Sequence, residues 1–196
     1  MNILLKIYSK IYSILISRKL KRGENVHFYG PVDLIGGRRI EIGENTYFNN
    51  NLVLNAWESY SRQKELPLIT IGRDCSFQPY NHISCINRIE IGNGVLTGRW
   101  VTICDNNHGD TTLESMELPP LKRTMTSNGP IIIEDNVWIG DKVTVLGGVT
   151  IGRNAIIGSN SVVTKDIPPY CVAAGIPAKV IKTVKSEKRD NQKDGR

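Results

Sequence analysis

The chain has 196 residues with a formal charge of +6, a length that fits one domain with attached ends. Ile (25) and Val (14) together far exceed Leu (14), and Gly supplies 18 residues, a β-branched, turn-rich composition that excludes an all-helical bundle. Residues 1–22 carry six Lys/Arg and no acid, residues 179–196 seven against three, and the body between them 12 against 16; basicity confined to the ends argues for arms near an anionic surface and against a nucleic-acid groove built into the fold.

The first predicted element is a helix over residues 1–22. Leu4, Ile7, Ile11 and Leu15, with Tyr8 and Tyr12, follow one helical stripe, and Lys6, Lys10, Arg18 and Lys19 lie elsewhere. Interleaved charges and the lack of a small-residue cleavage site argue against a signal peptide. No apolar stretch reaches the 18 residues or so that span a bilayer. Two readings stay open: the stripe packs on the protein, capping the end of its own domain or meeting a neighbouring subunit, or it lies on an anionic membrane.

Beyond the helix a period of six emerges. Weak copies begin at Ile42 (IGENTY, then Phe48 and Leu54), Ile71 (IGRDCS, then Phe77 and Ile83) and Ile91 (IGNGVL, then Thr97 and Ile103). From Ile133 the beat is unbroken: IEDNVW, IGDKVT, VLGGVT, IGRNAI, IGSNSV, VTKDIP, led by Ile133, Ile139, Val145, Ile151, Ile157 and Val163. Four places after each lead stand Val137, Val143, Val149, Ala155, Ser161 and Ile167. Such a period makes the chain turn a corner every six residues, so three edges close a triangular coil and the leads stack into one apolar column. Two stretches break the beat, Asn55 to Leu68 and Cys104 to about Pro130. The second opens with DNNHGD and ends with SNGP; it reads as a projecting arm without secondary structure of its own, and such long excursions are usually functional. Trp138, last in its unit, should point outward. Cys75, Cys85, Cys104 and Cys171 form no C-x-x-C pair and are too sparse for a disulfide framework, which favours a reduced, cytoplasmic setting; neither a structural zinc nor any other metal is expected.

These hexads, with DNNHGD (105–110), GPIIIEDNVWIG (129–140), NSVVTKDIPPY (160–170) and AAGIPAKVIK (173–182), resemble the left-handed parallel β-helix acyltransferases, in the branch of the maltose and galactoside O-acetyltransferases and their surface-polysaccharide relatives. The resemblance spans about residues 36–182 and supplies the hand, since the usual crossover rule gives the opposite one. It implies an all-β solenoid over 23–182 with the arm at 104–130, a basic helix before it, and a charged, disordered tail at 183–196. It also implies a homotrimer using acetyl-CoA as co-substrate on a sugar hydroxyl, in the cytoplasm or peripheral at the inner face of the membrane. His108 takes the general base's place in the family motif. Asn81, His82, Asp105 and Trp138 fall near the acceptor. Gly140, Ser159 and Ala174 would follow the pantetheine arm, while Thr164, Lys165 and Lys182 would meet the rest of the donor. Other readings remain: His108 as an ordinary polar turn, His82 as an exterior edge residue, Trp138 as subunit packing, and an acyl-Cys104 intermediate. The rival functions are N-acylation of a nucleotide-linked amino sugar, a non-catalytic scaffold, and a γ-type carbonic anhydrase. The last is disfavoured because the three His, at 27, 82 and 108, lie too far apart in sequence to form its paired ligands.

Overall fold

The computed structural model describes residues 3–60 and 67–184. Its body is a left-handed parallel β-helix with three sheet faces. The first face stacks Arg22–Gly23, Ile40–Ile42, Leu68–Ile71, Arg88–Ile91, Ile131–Ile133 and Thr150–Ile151. The second stacks His27–Phe28, Tyr47–Phe48, Ser76–Phe77, Leu96–Thr97, Trp138–Ile139, Ile156–Ile157 and Cys171–Ala174. The third stacks Val32–Ile35, Leu52–Ala56, His82–Cys85, Thr102–Cys104, Thr144–Leu146 and Val162–Val163. All six leads from Ile133 to Val163 are buried, and so are the residues four places after them. Lower in the stack Phe28, Phe48 and Phe77 fill the same column, their rings 5.1 and 4.7 Å apart. Each coil thus completes the core of the next, which no single repeat could bury alone.

The corners carry their own rule. At the fourth place of a unit the backbone takes positive φ: Asn45, Asp74, Gly94, Asn136 and Asn154 at the corner between first and second faces, Asn51, Lys142 and Asn160 at the next. Asn, Asp and Gly accept this left-handed conformation at least cost. The third corner, between the third face and the first, behaves differently: both interruptions of the beat leave from it. The arm there is not structureless, as the sequence reading had it. Asn107–His108 pairs antiparallel with Met125–Thr126, and between them stand a helical turn, Leu113–Glu117, and a 3-10 turn, Pro120–Lys122. The Asp110 carboxylate accepts from the Thr112 N–H (3.0 Å) and hydroxyl (2.6 Å), and Thr112 Oγ1 accepts from Ser115 N (3.3 Å), a local cap that starts the turn.

The N-terminal helix runs Ile3–Ser17 and closes the first coil. Ser13 Oγ accepts from Phe28 N (2.8 Å), Tyr12 OH accepts from Val32 N (3.1 Å), and Ile16 and Leu20 join the core. Of the expected stripe only Tyr12 docks; Leu4, Ile7, Tyr8, Ile11 and Leu15 face outward. At the other end Lys179–Thr183 adds an antiparallel strand to Cys171–Ala174, and Val184 N donates to Tyr170 O (2.8 Å). The first two residues of the expected tail therefore belong to the fold, and the rest of it, 185–196, lies outside the described residues. Among the described residues no helix is long and apolar enough to cross a membrane.

Candidate functional site

His108 is placed by anchors on both sides of it. Asp105 is fully buried, and its carboxylate accepts from Ile86 N (2.8 Å), Asn87 N and Arg88 N (both 2.9 Å), closing the third corner of the coil below. Burial pushes its pKa up and these N–H groups oppose that. Next to it, Asn106 Nδ2 donates to the carbonyl (3.1 Å) and hydroxyl (3.0 Å) of Ser84. Beyond His108, Thr126 Oγ1 donates to Gly109 O (2.9 Å), tying in the hairpin. The backbone is thus held while the imidazole stays exposed, with no hydrogen-bond or ion-pair partner among the described residues. Asp105, expected at the acceptor, has no oxygen turned outward; it positions the segment bearing His108.

Asn81 is likewise turned inward. It is 1% exposed, and its Nδ2 spans the second corner to Gln78 O (2.6 Å) and Gly98 O (2.9 Å), so its amide has no face for a substrate. His82 is exposed and opens the third face beside Thr102 of the next coil. It stands where the third face begins, whereas His108 lies in the arm that leaves the far end of that face.

The expected donor contacts separate into two groups. Trp138, expected at the acceptor and 51% exposed, lies on the outer side of the second face, while of the donor residues Gly140, Ser159 and Ala174 follow one another along the second corner in the last three coils. Gly140 is buried and spends its N–H on Ile157 O (2.8 Å), and Ser159 Oγ accepts from Asp141 N (3.1 Å). These residues therefore line the corner more than they offer free donors. Lys182 is exposed on the closing strand opposite Val172. Thr164 and Lys165 are exposed at the third corner, the one His108 leaves. About five residues of third face separate the corners, roughly 16 Å at 3.3 Å per residue. One chain does not bring His108, Thr164 and Lys165 together with Gly140, Ser159 and Ala174.

Cys104 is half-buried and its thiol donates to Asn106 O (3.5 Å). Burial raises its pKa, and burial beside Asp105 raises that of Cys85 further. Both are held as thiols, the poorly nucleophilic form. Among the described residues no three His, Cys, Asp or Glu side chains converge as metal ligands would.

Trp100, two residues after Gly98, could serve as Trp138 does, but no motif in the sequence singles it out or pairs it with Tyr80. At the second corner Tyr80 (φ +65°) and Trp100 (φ +61°) occupy left-handed positions that Asn51, Lys142 and Asn160 fill in other coils, and Tyr170 (φ +55°) is a further aromatic in this conformation after Ile167. The rings of Tyr80 and Trp100 lie 4.0 Å apart and 2° from parallel, and both remain well exposed. The available signal was an aromatic at the fourth place of two successive coils.

The sequence profile of the Bacterial transferase hexapeptide (six repeats) family matches residues 130–165. WbbJ of Escherichia coli K12, a protein named for O-acetyl transfer in lipopolysaccharide biosynthesis, is 36% identical over 152 residues, 72% of this chain and 77% of that one. The galactoside O-acetyltransferase of the same organism is 35% identical over 167 residues, 83% of this chain and 63% of its own length. Among solved structures, a variant of the Bacillus cereus N-acyltransferase AntD, in complex with a dTDP-amino sugar and coenzyme A, superposes over 89% of both chains with a TM-score of 0.69 at 17% identity, a likeness of fold. With the hexads, the three-faced coil and these relatives in agreement, the chain belongs to the hexapeptide-repeat acyltransferases and stands with their O-acetyltransferases.

Proposed function

We propose that the chain transfers an acetyl group from acetyl-CoA to a sugar hydroxyl in surface-polysaccharide biosynthesis, with His108 as general base. The observation that carries this is an exposed, unpartnered imidazole on a backbone fixed by Asp105 and Asn106. His108 takes the hydroxyl proton as the sugar oxygen attacks the acetyl carbonyl. The C–S bond then breaks, and the proton passes from His108 to the departing sulfur, giving the ester and free CoA. A screen of glycosides, lipid-linked glycans and nucleotide-linked amino sugars with acetyl-CoA, read by thiol release, tests it. Turnover confined to the amino sugars would establish N-acylation instead, the chemistry of AntD.

No covalent enzyme intermediate is needed. Cys104→Ala is expected to keep most of the turnover, and loss of activity with an intact fold would point to an acyl-Cys route.

The acceptor's ring is held by Tyr80 and Trp100. Left-handed backbone in a bulky residue costs about 1–2 kcal/mol, strain of a kind that concentrates at functional sites. Flat, exposed rings suit the C–H face of a pyranose, and they continue along the axis the corner that carries Gly140, Ser159 and Ala174. Tyr80→Asn and Trp100→Asn should leave thermal stability equal or higher while raising acceptor KM about tenfold, roughly 1.4 kcal/mol of binding, with acetyl-CoA KM unchanged. Unchanged acceptor KM rules out the platform, and dissociation of the oligomer would assign the rings to subunit packing.

The assembly is a homotrimer with its sites between subunits. Two features support this: the donor groove and His108 lie at separate corners of one chain, and the arm exposes Leu113, Met116, Leu118 and Leu121, apolar side chains suited to a neighbour's surface.

A further inference from the structure

The N-terminal helix presents its amphipathic faces the opposite way from a helix docked on a core. At 100° per residue, Ser9, Tyr12, Ser13 and Ile16 share one side, and that side meets the first coil. A β-helix ends in unpaired backbone, which calls for hydrogen-bonding groups more than for hydrocarbon. The serines provide them: Ser13 Oγ accepts from Phe28 N (2.8 Å) and Ser9 Oγ donates to Phe28 O (3.2 Å). The opposite side carries Ile3, Ile7, Tyr8, Ile11, Ile14 and Leu15, each 46–71% exposed. An apolar face of this size marks an interaction site.

Charge selects the occupant. Lys6 and Lys10 border the face, Arg18 and Lys19 follow its end, and residues 1–22 contain no acid. Two copies of the helix laid face to face would oppose cation to cation. A lipid surface with anionic headgroups satisfies both features, hydrocarbon beneath and phosphate at the rim. We propose that this face docks the enzyme on an anionic membrane surface while the serine side caps the solenoid, so that one helix does both tasks. This inference does not depend on the acceptor or on His108.

The test is co-sedimentation of the full chain with vesicles of phosphatidylglycerol and phosphatidylcholine in equal parts, against phosphatidylcholine alone. Binding to the anionic vesicles is expected at low salt. It should weaken at least about tenfold in about 1 M salt, where charges are screened beyond about 3 Å, or in Lys6→Gln/Lys10→Gln. Ile7→Glu/Ile11→Glu, changed only at exposed positions, should lose binding while circular dichroism, oligomeric mass and thiol release with a soluble acceptor stay as in the wild type. Failure of the wild type to sediment at low salt, or equal binding by the Glu variant, overturns the proposal. A changed oligomeric mass in the Glu variant would assign the face to subunit contact instead and overturn it equally.

Discussion

His108→Ala is expected to lower turnover by about a hundredfold to ten-thousandfold, the range for removing a positioned general base, while leaving oligomeric mass and acetyl-CoA binding unchanged. The clean outcome follows from the structure: the imidazole is exposed and holds nothing else in place, whereas the segment's anchors are Asp105, Asn106 and the pairing of Asn107–His108 with Met125–Thr126. Steady-state kinetics should show the loss in kcat, with KM values little altered, because a base acts on the transition state and not on ground-state binding. Added imidazole should restore part of the rate. A variant with near-normal kcat would remove His108 from the mechanism. A variant that fails to bind acetyl-CoA would make it a donor contact.

Much of the fold was legible because the period of six fixes both where the chain turns and which side chains point inward. The same counting, carried further, reaches residues that motif matching misplaced. Asn81 stands four places after Phe77, the inner place that Ser161 fills after Ile157, and it is buried for that reason. Asp105 follows Ile103 by two, on the inward side of the strand direction, and its charge is tolerated there only because three backbone N–H groups converge on it. The fourth place also marks Tyr80 and Trp100, aromatic where the other coils of that corner carry Asn or Lys. The orientation of the N-terminal helix was not legible. Periodicity finds its apolar stripe but does not say that the solenoid's end needs hydrogen-bonding groups, and Ser9 and Ser13 meet that need. The hexad count also separates Ser159, in the unit led by Ile157, from Thr164 and Lys165, in the unit led by Val163, so the two sets turn at successive corners.

The separation of these corners leads to the second large effect. If each site takes its base from one subunit and its donor groove from the next, two inactive variants should complement one another. His108→Ala removes the base. Ala174→Glu puts bulk and negative charge at the second corner, on a half-buried residue whose neighbour Ala173 supplies the core contact, so the fold should survive. Each variant alone is expected to be trimeric and nearly inactive. In a closed ring of three, every mixed trimer contains one interface that pairs an intact base with an intact groove. Random mixing at equal amounts makes about three quarters of the trimers mixed, with one working site of three in each. Activity should therefore rise from near zero to about a quarter of wild type. The check is to unfold and refold the two variants together, measure thiol release, and then isolate the mixed trimers by differential tags, where the rate should reach about a third of wild type. Mixed trimers that form and stay inactive would mean that base and groove come from the same chain, and a route for the donor across roughly 16 Å of the third face would then have to be found.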